Sequence, residues 1–258
     1  MASWSDLERE LDGWADASLA ATLWWRDDDA AALNPDIERL VALANDHRVP
    51  LHLAVIPRDL SDDLVAALQD SAVVRVLQHG YAHVDHAPKG AGSWELGDHR
   101  PQAAVLQELT LGFARLGKAF SERFLPVLVP PWTRIDPALV ARLPEVGLMA
   151  LSMEGARTTR FAARNVVTLN AHCDPIKWKG GARFTGTERA LDEIVRHLAA
   201  RRQGRADVAE PTGLCTHHLA HDAETWHFVE ALIERTLGHN AVRWIGLEAE
   251  LEHAEAAC

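Results

Sequence analysis

The chain has 258 residues, of which 48% are hydrophobic and 24% charged, and its formal net charge is -11. This length and composition allow a large core and suit either one α/β barrel or two small domains. The acidic balance argues against nucleic-acid and anionic-membrane partners. The N-terminal stretch has no basic segment followed by an apolar run, which predicts a cytoplasmic protein. Cys173, Cys215 and Cys258 lack CxxC spacing and predict free thiols.

Short apolar runs of strand length alternate with longer amphipathic segments along the chain. Helical segments such as Pro35–His47 and Pro101–Ser121 have apolar residues at spacings of three and four. Strand followed by helix, repeated, is typical of a parallel sheet, and no linker rich in Pro, Gly or Ser divides the chain. We therefore predict one α/β domain over residues 1–258, a single (β/α) barrel of about seven to eight parallel strands. The strand candidates are Ala21–Arg26, Pro50–Ile56, Val73–Gln78, Phe124–Val129, Leu148–Met153, Val166–Ala171, Gly213–Thr216 and Ala241–Gly246.

Two long polar loops each follow a predicted strand. They run over Asp85–Arg100 and Cys173–Thr187, and both contain Gly and Trp. Loops of this length in a compact barrel are usually functional. Because ligands bind at the carboxyl ends of parallel strands, we expect both loops on the active face.

Acidic and imidazole side chains stand at the ends of two predicted strands. The first strand runs into Asp27, Asp28 and Asp29, whose like charges favour a nearby cation, although a solvated acidic turn gives the same pattern. His79 and His83 follow the third strand, and on a helical turn this spacing would face both rings toward a common point. With Asp28 they would form a set of two histidines and one carboxylate, as in catalytic metal sites with open positions.

A third group follows the strand Gly213–Thr216 and contains His217, His218 and His221. A histidine here suits a general acid, since its ordinary pKa lies near the working pH. Chance groupings are also expected, because the chain has 14 histidines. All three groups stand at the carboxyl end of a predicted strand. That convergence favours a metal-dependent hydrolase with an Asp base and a His acid.

Other residues after strands are candidates for the substrate side. Pro131 and Trp132 close one strand, and Trp132 has an apolar face on which a sugar ring could stack, or it is a core tryptophan. His172 and Asp174 follow another strand and, with Trp178, could line the substrate side. The alternative is a polar turn whose Asp caps backbone groups.

The order of these groups along the chain resembles that of the polysaccharide deacetylase, or NodB-homology, family. The motifs that carry the resemblance are the Asp pair, the HxxxH sequence from His79 to His83, and the Leu-x-x-His sequence from Leu214 to His217. The resemblance implies a distorted (β/α) barrel that hydrolyses N- or O-acyl groups with a divalent metal. It also implies that the two HxxxH histidines are metal ligands.

The resemblance implies roles for the remaining motif residues as well. The first aspartate of the pair would be the base and the second a metal ligand, which by order gives Asp27 and Asp28. Because three aspartates are consecutive, Asp28 and Asp29 form an alternative pair. His217 would be the catalytic acid. Apart from the resemblance, His218 and His221 are candidates for the substrate side, although the sequence does not decide which of these three histidines points into the pocket.

Two family motifs depart from their usual form. The Thr-Phe that usually precedes the Asp pair is Trp25-Arg26 here. Where family members have Arg-Pro-Pro-Tyr, this chain has Val129-Pro130-Pro131-Trp132, so the Arg that orients the base is missing. Arg26 or Arg134 would have to replace it, although each is equally interpreted as an ordinary surface or ion-paired arginine. Arg134, close to Trp132 in sequence, is also a candidate for the substrate side.

The favoured function is a metal-dependent deacetylase or amidohydrolase that removes an acyl group from an acylated sugar or another small amide or ester by activating water. Two histidines and one aspartate suit Zn²⁺ best among the expected metals, with Co²⁺, Ni²⁺ or Fe²⁺ as alternatives. A catalytically silent sugar-binding or regulatory barrel and a metal-dependent lyase or isomerase are the competing hypotheses. The expected partner is a small-molecule or saccharide substrate.

Overall fold

A computed structural model describes residues 1–69 and 71–255 of the protein; Cys258, predicted as a free thiol, is outside this range. Cys173 and Cys215 are free and buried, as predicted. The helices are α1 Trp4–Asp16, α2 Pro35–His47, α3 Asp62–Leu68, α4 Gln102–Phe120, α5 Pro137–Val140, α6 Thr187–Arg202, α7 Ala223–Leu237 and α8 Glu248–Glu255. The strands are β1 Ala21–Ala30, β2 Leu51–Val55, β3 Val74–His79, β4 Phe124–Val129, β5 Ala150–Leu151, β6 Phe161–Ala163, β7 Val166–Thr168, β8 Ile176–Lys177, β9 Arg183–Phe184, β10 Thr212–Thr216 and β11 Val242–Trp244.

A mostly parallel sheet runs in the order β10, β1, β2, β3, β4, β5, β7, β6, and β11 pairs with β1 off this path. The residues that follow β7 close the sheet on itself. Cys173 bridges Leu214 of β10, and the His172 backbone N–H donates to the Gly213 carbonyl over 2.7 Å. The ring therefore contains β1, β2, β3, β4, β5, β7 and β10, which confirms the predicted distorted (β/α) barrel.

Each predicted strand is present, but three short strands were not predicted. β6 pairs antiparallel with β7, and β8 and β9 form a hairpin inside the loop Cys173–Thr187. These three strands have two or three residues and lie outside the apolar runs from which the other strands were predicted. The last predicted strand, Ala241–Gly246, forms β11, which lies beside the start of β1 and not in the ring.

Apolar side chains pack on both sides of the barrel wall. Inside the ring, Trp24 packs with residues from the other strands, including Ala54, Leu77 and Val167. Outside it, Trp25 packs with residues of the surrounding helices. Helices on the outside and side chains within are the arrangement expected of a (β/α) barrel. Within the described residues, no helix is both long and apolar enough to cross a bilayer.

Candidate active site

A cavity of about 380 Å³ opens at the carboxyl ends of the barrel strands, on the predicted active face. Candidate metal ligands, carboxylates and two tryptophans share its wall. The lining residues are Asp28, Asp29, His79, His83, Pro130, Trp132, Thr133, Glu154, Trp178 and His217.

The three consecutive aspartates point in different directions because of the strand that carries them. Side chains alternate along β1, so Asp28 lies on the inner side with Arg26, and Asp27 lies on the outer side. The pairing of β1 with β2 shifts register between Asp27 and Ala30, and Asp29 has a φ of 70°. This irregularity turns Asp29 toward the same pocket as Asp28.

Two histidines and one carboxylate meet at the pocket wall, but the carboxylate belongs to Asp29 and not to Asp28. The Asp29 Oδ1 atom lies 3.1 Å from His79 Nε2 and 3.2 Å from His83 Nε2. The sequence grouped Asp28 with these histidines first and left Asp28 and Asp29 as the alternative pair. Which aspartate binds a metal stays a prediction, but it is Asp29 that stands beside the two histidines here. The reason is the register shift in β1, which a regular alternation does not predict.

The turn that brings His79 and His83 together is not helical. Gly80 and His83 have φ values of 52°, and a Cβ atom on Gly80 would meet Glu95 and Pro131 at less than 3 Å. Glu95, fully buried, accepts hydrogen bonds from the backbone N–H groups of Tyr81 and Ala82. Burial raises the pKa of Glu95, and these N–H bonds lower it in part. Glu95 was not predicted, and its only signal in the sequence was its position in the long loop Asp85–Arg100.

Asp28 forms a buried ion pair with Arg26. Arg26 Nε lies 2.8 Å from Asp28 Oδ1, and Arg26 Nη2 donates to Asp28 Oδ2 over 3.0 Å. Arg26 Nη1 donates to Ser152 Oγ over 2.6 Å, which fixes the guanidinium in the barrel. Burial alone would lower the pKa of Arg26, but the Asp28 carboxylate raises it above its usual range. Arg134 instead donates to the Ala91 carbonyl, away from the carboxylate.

His217 lies across the pocket from the metal-ligand set, between two carboxylates. Its Nε2 is 3.8 Å from Asp28 Oδ2, and its Nδ1 is 3.7 Å from Asp174 Oδ2. Trp178 donates from Nε1 to the same Asp174 oxygen over 2.8 Å, and its ring packs edge-on to His217 at 4.7 Å. Burial raises the pKa of Asp174. Asp174, expected on the substrate side, thus supports the His217 ring.

Asp27 faces away from the pocket and has no access to a substrate. Its carboxylate accepts from Thr216 Oγ1 at 2.7 Å, from the His218 backbone N–H at 3.0 Å and from His218 Nδ1 at 2.6 Å. Asp27 and His218 are 0% and 1% exposed. Burial alone would raise the pKa of Asp27, but His218 lowers it overall. The prediction that Asp27 is the base, and that His218 contacts substrate, disagrees with this geometry.

Other predicted substrate residues stand outside the cavity lining as well. His221 packs edge-on to Trp226 at 4.5 Å. Pro131 is buried under the pocket rim, where it limits the space beside Gly80. Of the predicted substrate residues, Trp132 and Trp178 line the cavity.

His172 belongs to a second group of two histidines and one carboxylate, which was not predicted. His172 Nε2 and His197 Nε2 each lie 3.3 Å from an oxygen of Glu210, and the two rings stack at 3.4 Å. Glu210 also accepts from the Arg157 backbone N–H. The Gly213 backbone N–H donates to His172 Nδ1 over 2.9 Å. This buried group closes the barrel between the end of β7 and β10.

Left-handed backbone conformations concentrate at the pocket. Asp29, His83, Trp132 and Thr133 have φ values between 52° and 70°, a region that costs energy for residues other than Gly. All four line the cavity. Such strain collects at functional sites, where the surrounding structure holds it in place.

Comparison with known proteins places the fold. No family model matches the sequence, and no curated protein matches it. Among solved structures, a putative polysaccharide deacetylase from Mycobacterium smegmatis is 14% identical with a TM-score of 0.64, covering 92% of this chain and 91% of its own. A family 4 acetyl xylan esterase from Clostridium thermocellum, in complex with a cobalt ion, is 12% identical with a TM-score of 0.53, covering 91% and 92%. Puue allantoinase is 12% identical with a TM-score of 0.62, covering 92% and 91%.

These similarities extend over nearly the whole length of both chains in each pair. The chain therefore has the fold of the polysaccharide deacetylases and family 4 carbohydrate esterases, as the order of its motifs indicated. At 12 to 14% identity, this likeness concerns the fold. The chemistry depends on the residues of the pocket.

Proposed function

We propose that the protein is a metal-dependent deacylase that hydrolyses the amide or ester bond of an acylated sugar or another small molecule. One observation carries this proposal. Two imidazoles and a carboxylate converge at the wall of a pocket in which a second carboxylate and a third histidine face the same space. Metal, base and acid are the groups that hydrolysis of an acyl bond requires.

The residues of the first group fit a divalent cation. His79 donates from Nδ1 to the Val129 carbonyl over 3.0 Å, because a carbonyl oxygen can only accept. The proton of a neutral His79 is therefore on Nδ1, and the Nε2 lone pair faces His83 and Asp29. This is the usual arrangement of a metal-ligating histidine. Two nitrogens and one oxygen suit Zn²⁺, with Co²⁺, Ni²⁺ and Fe²⁺ as alternatives.

His79, His83 and Asp29 would hold this cation, which when bound supplies Lewis acidity and lowers the pKa of water. Asp28 would take the proton of the water whose oxygen adds to the acyl carbon. His217 would give a proton to the departing nitrogen or oxygen as its bond to that carbon breaks. The products are then a carboxylic acid and an amine or alcohol.

The position of Arg26 favours an active enzyme over a catalytically silent barrel. The absence of the family's Arg next to Pro130 suggested a catalytically silent barrel. In this chain, Arg26 reaches the Asp28 carboxylate from the same strand, two residues earlier, with two nitrogens within 3.0 Å. A guanidinium held by Ser152 and buried in the barrel fixes the orientation of Asp28. We assign Arg26 as a positioning residue.

The test is acyl release by protein that is stripped with a chelator and then reloaded. Release of acetate from N-acetyl and O-acetyl sugars, amides and esters is measured before stripping, after stripping and after addition of Zn²⁺ or Co²⁺. We expect activity to disappear on stripping and to return with the metal. Acyl release that is insensitive to chelation, or no release from any acyl compound by the reloaded protein, would contradict the proposal.

A further inference from the structure

Glu154 places a carboxylate without a direct ion pair at the mouth of the pocket. It accepts a hydrogen bond from Thr133 Oγ1 over 3.2 Å, and within the described residues it has no ion pair. The other carboxylates of the cavity differ, since Asp28 is paired with Arg26 and Asp29 faces two histidines. No Lys or Arg is among the residues that line this cavity in the described chain.

The strand before Glu154 directs its side chain toward the cavity. Ala150 belongs to the inner core, and Ser152 contacts Arg26 inside the barrel. Alternation places Glu154 on the same side, one step nearer the opening. Glu154 also lines an adjacent groove with Lys177, Lys179 and Arg189, but within the described residues none of the three forms an ion pair with it, and Arg189 pairs with Glu193. The carboxylate is therefore available to a ligand in the pocket.

Two exposed indoles stand on either side of Glu154. Trp132 is 38% exposed and packs against His83 at 4.4 Å, whereas Trp178 is 49% exposed and packs against His217 at 4.7 Å. Trp132 follows β4 and Trp178 follows β7, and β5, which leads to Glu154, lies between these strands. We call Glu154, Trp132 and Trp178 the mouth site.

A carboxylate and two exposed indoles on the wall of one pocket match a cation. Indole rings attract ammonium groups through their electron-rich faces, and the carboxylate adds direct charge attraction. A neutral sugar ring could stack on the indoles and donate a hydroxyl hydrogen bond to Glu154, but only a cation also gains the charge attraction.

We infer that the mouth site binds a cationic group of the substrate, so that the substrate is an acylated amine or amino alcohol that carries a second, protonated or quaternary, amino group. The inference rests on the proposed function for the reacting end of the substrate. The acyl group would lie between Asp29 and His217, and the cation would lie beyond it, toward the solvent.

The kinetic test uses matched pairs of acetamides. One member is the monoacetyl derivative of a straight-chain diamine, and the other has a methyl group in place of the terminal ammonium; several chain lengths are compared. We expect kcat/KM to be about tenfold higher for the cationic member at the best length. In Glu154→Gln this ratio should fall to about one, because the charge attraction is lost. The control is Glu122→Gln, which makes the same change of net charge on an exposed turn just before β4. It does not line the cavity and should keep the ratio.

A binding measurement separates this inference from the proposed function. Tetramethylammonium is titrated into the metal-loaded protein while the indole N–H signals of Trp132 and Trp178 are followed by NMR, each assigned with its Phe variant. We expect both signals to shift in the wild type and in Glu122→Gln, and the shifts to weaken strongly in Glu154→Gln. Shifts without hydrolysis of any acyl amide or ester would retain the cation site and reject the deacylase. Hydrolysis with equal kcat/KM for both members and no shifts would reject the cation site and retain the deacylase.

Discussion

Two groups in this molecule contain the same side chains, two histidines and one carboxylate, but their surroundings give them different chemistry. In the pocket, His79 donates its Nδ1 proton to a backbone carbonyl, and its Nε2 is left to face Asp29. In the buried group, His172 accepts a backbone N–H at Nδ1, so that a neutral ring carries its proton on Nε2, toward Glu210. The first nitrogen is a potential ligand, and the second is a donor. The hydrogen bond at Nδ1 of the histidine therefore distinguishes the two groups.

The largest effect should follow loss of the pocket carboxylate. Asp29→Ala removes one of three expected ligands, so we expect metal content to fall to a small fraction of one equivalent and kcat/KM to fall about a thousandfold or more. Elemental analysis and acetate release measure the two effects. Asp16→Ala, an exposed residue at the end of α1, is the matched control. Full metal content in Asp29→Ala would exclude Asp29 from the ligand set.

Asp28→Asn should separate catalysis from metal binding. The amide keeps the shape of the side chain but cannot take a proton, so kcat should fall by about a hundredfold to ten-thousandfold while the metal stays bound. Elemental analysis, kinetics and a circular dichroism spectrum of the variant are needed together, because Arg26 loses its counter-charge. Loss of the metal from this variant would indicate that Asp28 is a metal ligand.

Asp27→Asn should have a much smaller catalytic effect than Asp28→Asn. The Asp27 carboxylate holds the segment from Thr216 to His218, which includes His217, so its replacement should reduce kcat about tenfold. The free energy of unfolding should fall by about 1 to 3 kcal/mol, measured by urea denaturation. A loss of activity as large as that of Asp28→Asn would indicate that Asp27 is the catalytic base.

The buried group should affect stability with little effect on metal content. Burial is the main cause that holds the pKa of His172 at about 4, below its usual 6.5. The folded state favours the neutral ring, so the contribution of His172 is complete above pH 6.5 and is lost as the pH falls toward 4. A shift of this size corresponds to about 3 kcal/mol.

His172→Asn tests this prediction, because its side-chain oxygen can still accept the Gly213 N–H. Urea denaturation between pH 7 and 4 should show a smaller loss of stability in the variant than in the wild type, with unchanged metal content at pH 7. An identical pH dependence in the two proteins would show that His172 is not held neutral by the fold. Loss of metal in the variant would make the buried group a metal site.

Much of the fold and part of the site could be predicted from the sequence. The barrel strands are long enough to show apolar runs, and His79, His83 and His217 stand at their ends. The choice among the three aspartates could not be predicted, because it depends on a register shift and a left-handed residue at Asp29. Alternation from Arg26 did carry one usable signal, since it places Asp28 on the side of the guanidinium.

Residues that act through the folded chain left little trace in the sequence. Glu95 accepts a hydrogen bond from the Tyr81 backbone N–H and so stabilises the turn at Gly80, although it lies 14 residues after Tyr81 in the sequence. Glu154 reaches the pocket because the chain keeps its alternation after β5, where Glu154 bridges Ala171. Such contacts are set by tertiary packing, which local spacing does not encode.

The most direct test of the central claim is anomalous X-ray diffraction from crystals grown with Zn²⁺ or Co²⁺. We expect a strong anomalous peak about 2.0 to 2.2 Å from His79 Nε2, His83 Nε2 and an Asp29 oxygen. We expect no peak between His172, His197 and Glu210. A peak coordinated by Asp27 or Asp28 in place of Asp29, a peak in the buried group, or no peak in the pocket would contradict the central claim.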